Sequence, residues 1–251
     1  MTYREGAEKY YDLFSEKQDA PFYLDLAREH GGKALELGVG TARLAIQLAR
    51  AGVDIWGIDN STHMLKAAKA KLAEEQPDVR KHIHLTLADA RNFDLKERFG
   101  LVYFPSFSFD HLLTPNDQAS ALRCVLRHLR PRGAFAFDLS HVPRIEASSG
   151  WFVERKPLNE QRTVVRLGFH KTNPEKRLMS MDLWYELYES GHMLERYHEG
   201  GQVYVNDPDS VRKPLEENCF EVAEWYGGHS REAFTESSKM MVIVARPSPR
   251  T

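Results

Sequence analysis

The sequence predicts an α/β protein: a doubly wound, mostly parallel sheet of seven strands, carrying an inserted antiparallel β lid. Two observations lead there. Over the first 140 residues, apolar runs of strand length alternate with stretches whose apolar residues recur every three or four positions. Short connections between such elements argue for a parallel sheet covered by helices on both faces, wound by right-handed crossovers. After Ser140 the rhythm changes to a period of two, the mark of an antiparallel sheet with one buried face.

The elements follow in order. Lys33 to Leu37 is a short apolar run ended by Gly38, and Thr41 to Ala51 places Leu44, Ala45, Leu48 and Ala51 at helical spacing before Gly52 stops it. Val53 to Ile58 is a second strand closed by Asp59. Ser61 caps a helix reaching about Glu75, with Met64, Leu65, Ala68 and Leu72 on one face and Pro77 beyond. Ile83 to Leu87 and Leu101 to Phe104 are the third and fourth strands. Pro115 to Leu129 is an amphipathic helix with Leu122, Val125, Leu126 and Leu129 inward, Arg130 to Gly133 is turn chemistry, and Ala134 to Leu139 is the fifth strand.

In the later stretch, Thr163 to His170, Leu178 to Tyr188 and Met193 to Tyr204 read as strands separated by Asn173–Lys176 and Ser190–Gly191 turns. Met181, Leu183, Tyr185 and Leu187 share one face, and Trp184 lies on the other. Asp207 to Glu217 has a helical pattern but holds Pro214, which removes a hydrogen bond and clashes with the preceding turn, at about 3 kcal/mol in a regular helix. A short or kinked helix is expected. Glu221 to Tyr226 and Lys239 to Arg246 complete the sheet as an antiparallel pair.

Composition narrows the function. The 251 residues suffice for one large domain or two small ones. Thirty-four Lys and Arg against 36 Asp and Glu give a net charge of −2, without the basic excess that nucleic acid or an anionic membrane would call for. Two cysteines, Cys124 and Cys219, are too few for a disulfide framework or a thiolate zinc site, so reduced thiols and no metal are expected. The N-terminus lacks a signal-peptide core, and no window approaches the ~20 apolar residues of a membrane span. A cytoplasmic protein, monomeric or homodimeric, is the expectation.

The segment richest in chemistry is Leu35-Glu36-Leu37-Gly38-Val39-Gly40-Thr41-Ala42-Arg43, at a strand end and opening a helix, where small residues let a ligand approach the backbone. Asp59 ends the second strand, where a carboxylate suits ribose hydroxyls. A nicotinamide dinucleotide wants Gly or Ala at the sixth loop position, which is Arg43 here, and the Gly-Lys-Ser/Thr of a phosphate loop is absent. S-adenosylmethionine has no phosphate, and an acid-x-Gly-x-Gly loop suits it.

In these residues the chain resembles the class I S-adenosylmethionine-dependent methyltransferases, in the branch acting on small molecules. The resemblance runs from Tyr10 to about Arg246 and implies a Rossmann-like methyltransferase fold. It implies cofactor contacts by Glu36, Gly38 and Gly40 of the first motif, by Asp59 and the adjoining Asn60, and by Met64 beside the adenine. It further implies contacts by Asp89 and Ala90 at the adenine edge, by Phe104 and Pro105 beside the methionine moiety, and by Tyr10 and Tyr11 of a lid segment. Ala42, where a third glycine is usual, and Arg43 depart from the pattern.

For the acceptor, the acid-or-Asn-Pro-Pro-aromatic motif that marks DNA amino-methyltransferases is missing after the fourth strand, which argues against a DNA base. The expectation is a small-molecule acceptor methylated at nitrogen or oxygen, an atom that the sequence does not itself identify. His111, in the loop after that strand, is the candidate base or orienting group, with Tyr11 as lid and alignment group. Trp151, Trp184, Tyr185, Tyr188, Tyr197 and Tyr204 of the insert are candidate cavity walls. The chain thus divides into an N-terminal helical lid segment (1–30), an α/β domain (31–149 and 207–251) and an inserted antiparallel substrate lid (150–206). Two other readings stay open at this stage: a cofactor-binding sensor or assembly protein on the same fold, and an NAD-dependent oxidoreductase. An open cavity beside the sulfonium would favour the enzyme.

Overall fold

The computed structural model describes residues 6, 8–15, 18–142 and 144–248. Part of the expected N-terminal lid segment (residues 1–5, 7, 16 and 17) lies outside them.

Two helices, α1 (Glu8–Tyr11) and α2 (Ala20–Glu29), precede the first strand. The chain then alternates β1 (Lys33–Leu37), α3 (Arg43–Arg50), β2 (Asp54–Asp59), α4 (Thr62–Glu74), α5 (Pro77–Arg80), β3 (Ile83–Leu87), β4 (Phe99–Phe104), α6 (Pro115–His128) and β5 (Leu129–Ser140). The inserted sheet comprises β6 (Ser148–Pro157), β7 (Arg162–Asn173), β8 (Leu178–Glu189) and β9 (His192–Tyr204), and α7 (Pro208–Glu217), β10 (Phe220–Tyr226) and β11 (Met240–Pro247) return to the main sheet.

The main sheet has seven strands in the order β10-β11-β5-β4-β1-β2-β3. β3, β2, β1, β4 and β5 pair in parallel, while β11 runs antiparallel to both β5 and β10. The central strands β1 and β4 are buried on both faces, while the edge strand β3 is largely exposed beyond Ile83, and alternate residues serve alternate layers. Ala34, Leu101, Tyr103, Ala136 and Val244 pack with the side that holds α2 and α3, whereas Leu35, Val102, Phe104, Phe137 and Ile243 pack with the side that holds α6 and α7. Phe135 and Phe137 stack with centroids 4.7 Å apart and are fully buried, each worth about 1.5–3 kcal/mol in hydrophobic transfer.

The helices start where their caps dictate. Ser61 Oγ accepts the Met64 amide at the head of α4, and Thr114 Oγ1 accepts the Asp117 amide at the head of α6. α7 runs unbroken across Pro214, with a capping box between Asp207 and Ser210 at its start. Its far end is closed by Asn218, whose Nδ2 and backbone N–H both donate to the Pro214 carbonyl. The Arg130–Gly133 segment, expected as a turn, is the start of β5: Leu129 already pairs with Phe99, and Arg132 at φ +65° marks the irregularity. β6 was not anticipated, because its Ser148–Gly150 start is weakly apolar; it pairs with β7 over its whole length.

The inserted sheet has the order β6-β7-β8-β9, all antiparallel. Val164, Leu183, Tyr185 and Leu187 are buried on its inner face against Tyr10, Leu13 and Phe14 of the N-terminal segment. The outer face carries an aromatic row in which Trp184 stacks on Trp151 at 5.6 Å.

Candidate active site

The glycine loop turns on two left-handed residues, Gly38 at φ +66° and Gly40 at φ +55°. A Cβ on Gly38 would lie 3.2 Å from the Phe104 ring and 3.3 Å from Ser108, so both conformation and space call for glycine. Ala42 is also left-handed, at φ +60°, at the position where the family pattern has its third glycine. Arg43, the other departure, opens α3 and makes a paired contact to Asp19, one nitrogen at 2.8 Å.

Asp59 organises the loop. Its Oδ2 accepts the Gly40 amide at 2.8 Å and its Oδ1 the Ser61 amide at 2.8 Å. Burial raises its pKa from the ordinary carboxylate value, and these N–H donors oppose that shift. Each carboxylate oxygen has two lone pairs, so Asp59 keeps acceptor capacity for ribose hydroxyls.

A pocket of about 190 Å³ opens above the strand ends. Of the residues expected to contact the cofactor, Tyr11, Gly38, Gly40, Asp59, Asn60, Met64, Asp89, Ala90 and Phe104 line it. Tyr10, Glu36 and Pro105 do not. Tyr10 and Tyr11 are neighbours in a helical turn and point about 100° apart, so Tyr10 faces the insert, where its hydroxyl donates to Glu195. Glu36 alternates away from the pocket into the layer beneath α2, where Tyr103 Oη donates to it at 2.8 Å and burial pushes its carboxyl up to about 8. Pro105 is buried behind the turn.

Ala88, which precedes Asp89 in the same motif segment, also lines the pocket, as do residues that no motif marks: Ile58, Arg91, Ser108, Leu112, Leu113 and Asp117. Arg91 matters most. Its guanidinium binds both oxygens of Asp89, Nε to Oδ1 at 2.9 Å and an Nη to Oδ2 at 2.6 Å, and reaches Asp117 at 2.9 Å. The hydrogen bonds from Arg91 hold the Asp89 carboxyl below its usual range. The acidic edge expected at the adenine end is therefore an Asp89–Arg91–Asp117 network. The Arg two residues after Asp89 was the signal available for it.

The N-terminal segment is tied over the loop by Asp12, which accepts Thr41 Oγ1 at 2.7 Å and pairs with Lys71 of α4. This places Tyr11 between the pocket and a second cavity, of about 360 Å³, beneath the insert. That cavity is lined by Tyr11, Phe14, Ser15, Asp19, Ser106, Phe107, His111, Asp138, His229 and the inner-face residues Arg166, Met181, Leu183, Tyr185, Glu199 and Val203. Its volume falls in the range of small-molecule sites. Of the six aromatic side chains expected as walls, Tyr185 lines it. Trp151 and Trp184 stack on the outer face, Tyr197 packs on Tyr10, Tyr188 bonds Glu186 and Tyr204 lies under Arg177. Strand alternation turns Trp151, Trp184, Tyr188 and Tyr204 to the outer face, whereas Tyr197 shares the inner face with Tyr185 and is taken up by Tyr10.

His111 lines both cavities. It ends a 3-10 turn, Ser108–His111, whose buried Asp110 bonds Ser140 Oγ at 2.6 Å and Asn206 Nδ2 at 2.9 Å. Burial pushes the His111 pKa down to about 4, so the ring is neutral at physiological pH. Its Nδ1 lies 3.5 Å from the Gln202 carbonyl, at the long limit of a hydrogen bond. Just before it, Ser106 and Phe107 are consecutive left-handed residues whose amides both donate to Asp138, which also accepts Tyr23 Oη at 2.7 Å and faces His229 Nε2 at 3.1 Å.

Among the described residues no group of three or more His, Cys, Asp or Glu is arranged to hold a metal, and Cys124 and Cys219 are free thiols. No helix among them is long and apolar enough to cross a membrane.

A strand-end glycine loop, an acid closing the next strand and a cavity beside them, on this sheet order, give the chain the fold of the class I S-adenosylmethionine-dependent methyltransferases. Comparison with known proteins agrees with that fold: residues 34–133 match the family described as "Methyltransferase domain". A relative from Bacillus subtilis (strain 168), YqeM, is 30% identical over 144 residues, a match covering 55% of this chain and 56% of the relative. The match thus spans little more than half of that relative. The CcbJ methyltransferase of Streptomyces caelestis superposes with a TM-score of 0.84 at 22% identity, covering 99% of both chains. The sugar N-methyltransferase KedS8 of Streptoalloteichus sp. ATCC 53650 superposes with a TM-score of 0.72 at 20% identity, covering 97% of this chain and 96% of that one. At these identities the structural likeness concerns the fold.

Proposed function

We propose that the chain transfers a methyl group from S-adenosylmethionine to a nitrogen or oxygen of a small-molecule acceptor. The observation that carries this reading is the junction of the two cavities at Tyr11 and His111. One cavity is built from strand ends for a nucleoside, and the other is a chamber under the insert that is open beside it and lined by both apolar and charged side chains. An open chamber at this point, with room for an acceptor, favours the enzyme over a sensor whose site is plugged. A nicotinamide enzyme is disfavoured because the sixth loop position, where close helix–strand packing in that fold wants Gly or Ala, is Arg43.

When bound, S-adenosylmethionine supplies a methyl carbon to in-line attack, the acceptor–carbon bond forming as the carbon–sulfur bond breaks and its electron pair returns to sulfur. The chain's own residues do the rest. The Gly38–Gly40 backbone and Asp59 hold the nucleoside, Met64 and the Asp89–Arg91–Asp117 network bound its base, and Phe104 flanks the reacting end. Tyr11 closes the junction and aligns the acceptor with the methyl group, and positioning of this kind supplies much of the acceleration in a bimolecular displacement. His111, neutral and at the junction, has a ring nitrogen to take or orient the acceptor's proton. The structurally similar sugar N-methyltransferase KedS8 supports a polar small molecule as acceptor.

The test is a two-part assay on the full chain: calorimetric titration with S-adenosylhomocysteine, then transfer of labelled methyl from S-adenosylmethionine across a panel of amines, amino sugars and alcohols. Binding followed by labelling of a small molecule is expected. Binding with labelling only of protein or RNA would overturn the acceptor class, and absence of binding would overturn the cofactor assignment.

A further inference from the structure

Three carboxylates line the chamber under the insert: Asp19, Asp138 and Glu199. Two are committed to partners within the protein. Asp19 receives the Arg43 guanidinium, and Asp138 is met by Tyr23, His229 and the amides of Ser106 and Phe107. Glu199 differs. It stands on the inner face of β9 beside Leu183 of β8, only 1% exposed, and its Oε1 accepts Tyr185 Oη at 3.2 Å. Among the described residues, its Oε2 is buried with no hydrogen-bond partner. The cation facing it, Arg166 of β7, is already bound through Nε to Glu154 at 2.7 Å and stacks over Phe14. A buried carboxylate oxygen left unsatisfied costs stability, and such a group in a cavity wall is a place where a ligand can supply the missing donor. The apolar side chains of Met181, Leu183 and Val203 share this wall with Glu199.

We propose that Glu199 is the specificity-determining residue of the acceptor chamber and binds an amine of the acceptor, so that this methyltransferase takes amine-bearing small molecules in preference to alcohols. The inference rests on the function proposed above. An ammonium donates to Oε2 and sets a second positive charge against the carboxylate, whereas an alcohol offers one neutral donor and adds no charge to oppose it. Tyr185 keeps the carboxyl in its rotamer by holding Oε1.

The experiment uses the full chain saturated with S-adenosylhomocysteine and two probes of equal ring size, cyclohexylamine and cyclohexanol, titrated at pH 8 with binding read by calorimetry. The wild type is expected to bind the amine at least about tenfold more tightly than the alcohol. Glu199→Gln is expected to lose about 10- to 100-fold in amine affinity, the range for hydrogen bonds to charged groups, with alcohol and S-adenosylhomocysteine binding unchanged. Glu199→Asp, which keeps the charge, is expected to retain a preference for the amine. The melting transition of Glu199→Gln without ligand is expected at or above that of the wild type, which separates loss of binding from loss of fold. Equal amine affinity in wild type and Glu199→Gln, no amine binding by the wild type, or a wild-type preference for the alcohol would overturn the inference. Failure of the wild type to bind S-adenosylhomocysteine is a separate result and overturns the methyltransferase reading itself.

Discussion

The Asp59 carboxylate, at the end of β2, accepts the amide of Gly40 in the loop after β1 at 2.8 Å. One side chain thereby sets the loop's shape and presents its remaining lone pairs to the cofactor pocket. Because the same carboxylate does both, Asp59→Ala is expected to reduce affinity for S-adenosylhomocysteine by about 10- to 100-fold, corresponding to the roughly 1.5–3 kcal/mol of charge-assisted hydrogen bonds. Asp59→Asn, which keeps an acceptor oxygen, is expected to lose less. Titration calorimetry decides it, and unchanged affinity in Asp59→Ala would refute the assignment of this pocket.

Gly38 tests the loop from the backbone side. Gly38→Ala must place a side chain at φ +66° and bring its Cβ within 3.3 Å of Phe104 and Ser108. Left-handed backbone costs an L-residue about 1–2 kcal/mol, and the close contacts add to that. A lower melting temperature and weaker S-adenosylhomocysteine binding are expected together. A variant that matches the wild type in both would show that the loop relaxes freely.

His111→Ala is expected to lower turnover of the identified acceptor by about 100-fold or more, the usual contribution of a positioned proton acceptor, while S-adenosylhomocysteine affinity changes less than about threefold. Since burial holds the ring's pKa near 4, His111 stays neutral from pH 6 to 9 and adds no acidic limb to the rate profile in that range. Stopped-turnover assays across that range check both points. Full turnover in His111→Ala would remove it from the chemistry.

Glu36 bears on pH dependence of stability. Burial raises its pKa to about 8 in the folded protein, from about 4.5 when exposed, so the folded state holds a proton that the unfolded state releases. Where the folded state binds more protons, stability falls as pH rises. The contribution is complete below about pH 4.5 and is lost as pH rises through 8. Thermal melts from pH 5 to 9 are expected to show a decline that Glu36→Gln makes shallower. An unchanged slope in the variant would place the titrating groups elsewhere, with Asp110 and Glu199, both raised to about 7 by burial, the next to replace.

Local patterns were enough for the scaffold. Alternation of strand-length and helix-spaced apolar runs, the cap at Ser61, and the Glu36–Gly40 loop before Asp59 are all short-range signals, and short-range physics makes them: 3.6- and 2-residue periods, a capping hydrogen bond and the freedom of glycine at positive φ. The family resemblance carried by those motifs pointed to residues of which nine line the pocket at the strand ends, where ligands of open α/β sheets meet the chain. The short-range signals did not say which way Tyr10 and Tyr11 would each turn, that Arg91 would take both oxygens of Asp89, or that Tyr185 alone of six aromatic candidates would look into the chamber. Those outcomes depend on which elements meet across the fold. Glu199 is the clearest instance. In sequence it is one acid among 36 Asp and Glu. It becomes distinctive only when β7, β8 and β9 pair in register, bury it beside Tyr185 and leave one oxygen unanswered. Motifs close in sequence specify the cofactor's end of the site. The acceptor's end is assembled from residues up to about 200 positions apart, as between Tyr11 and Glu199, and such a surface is decided by packing.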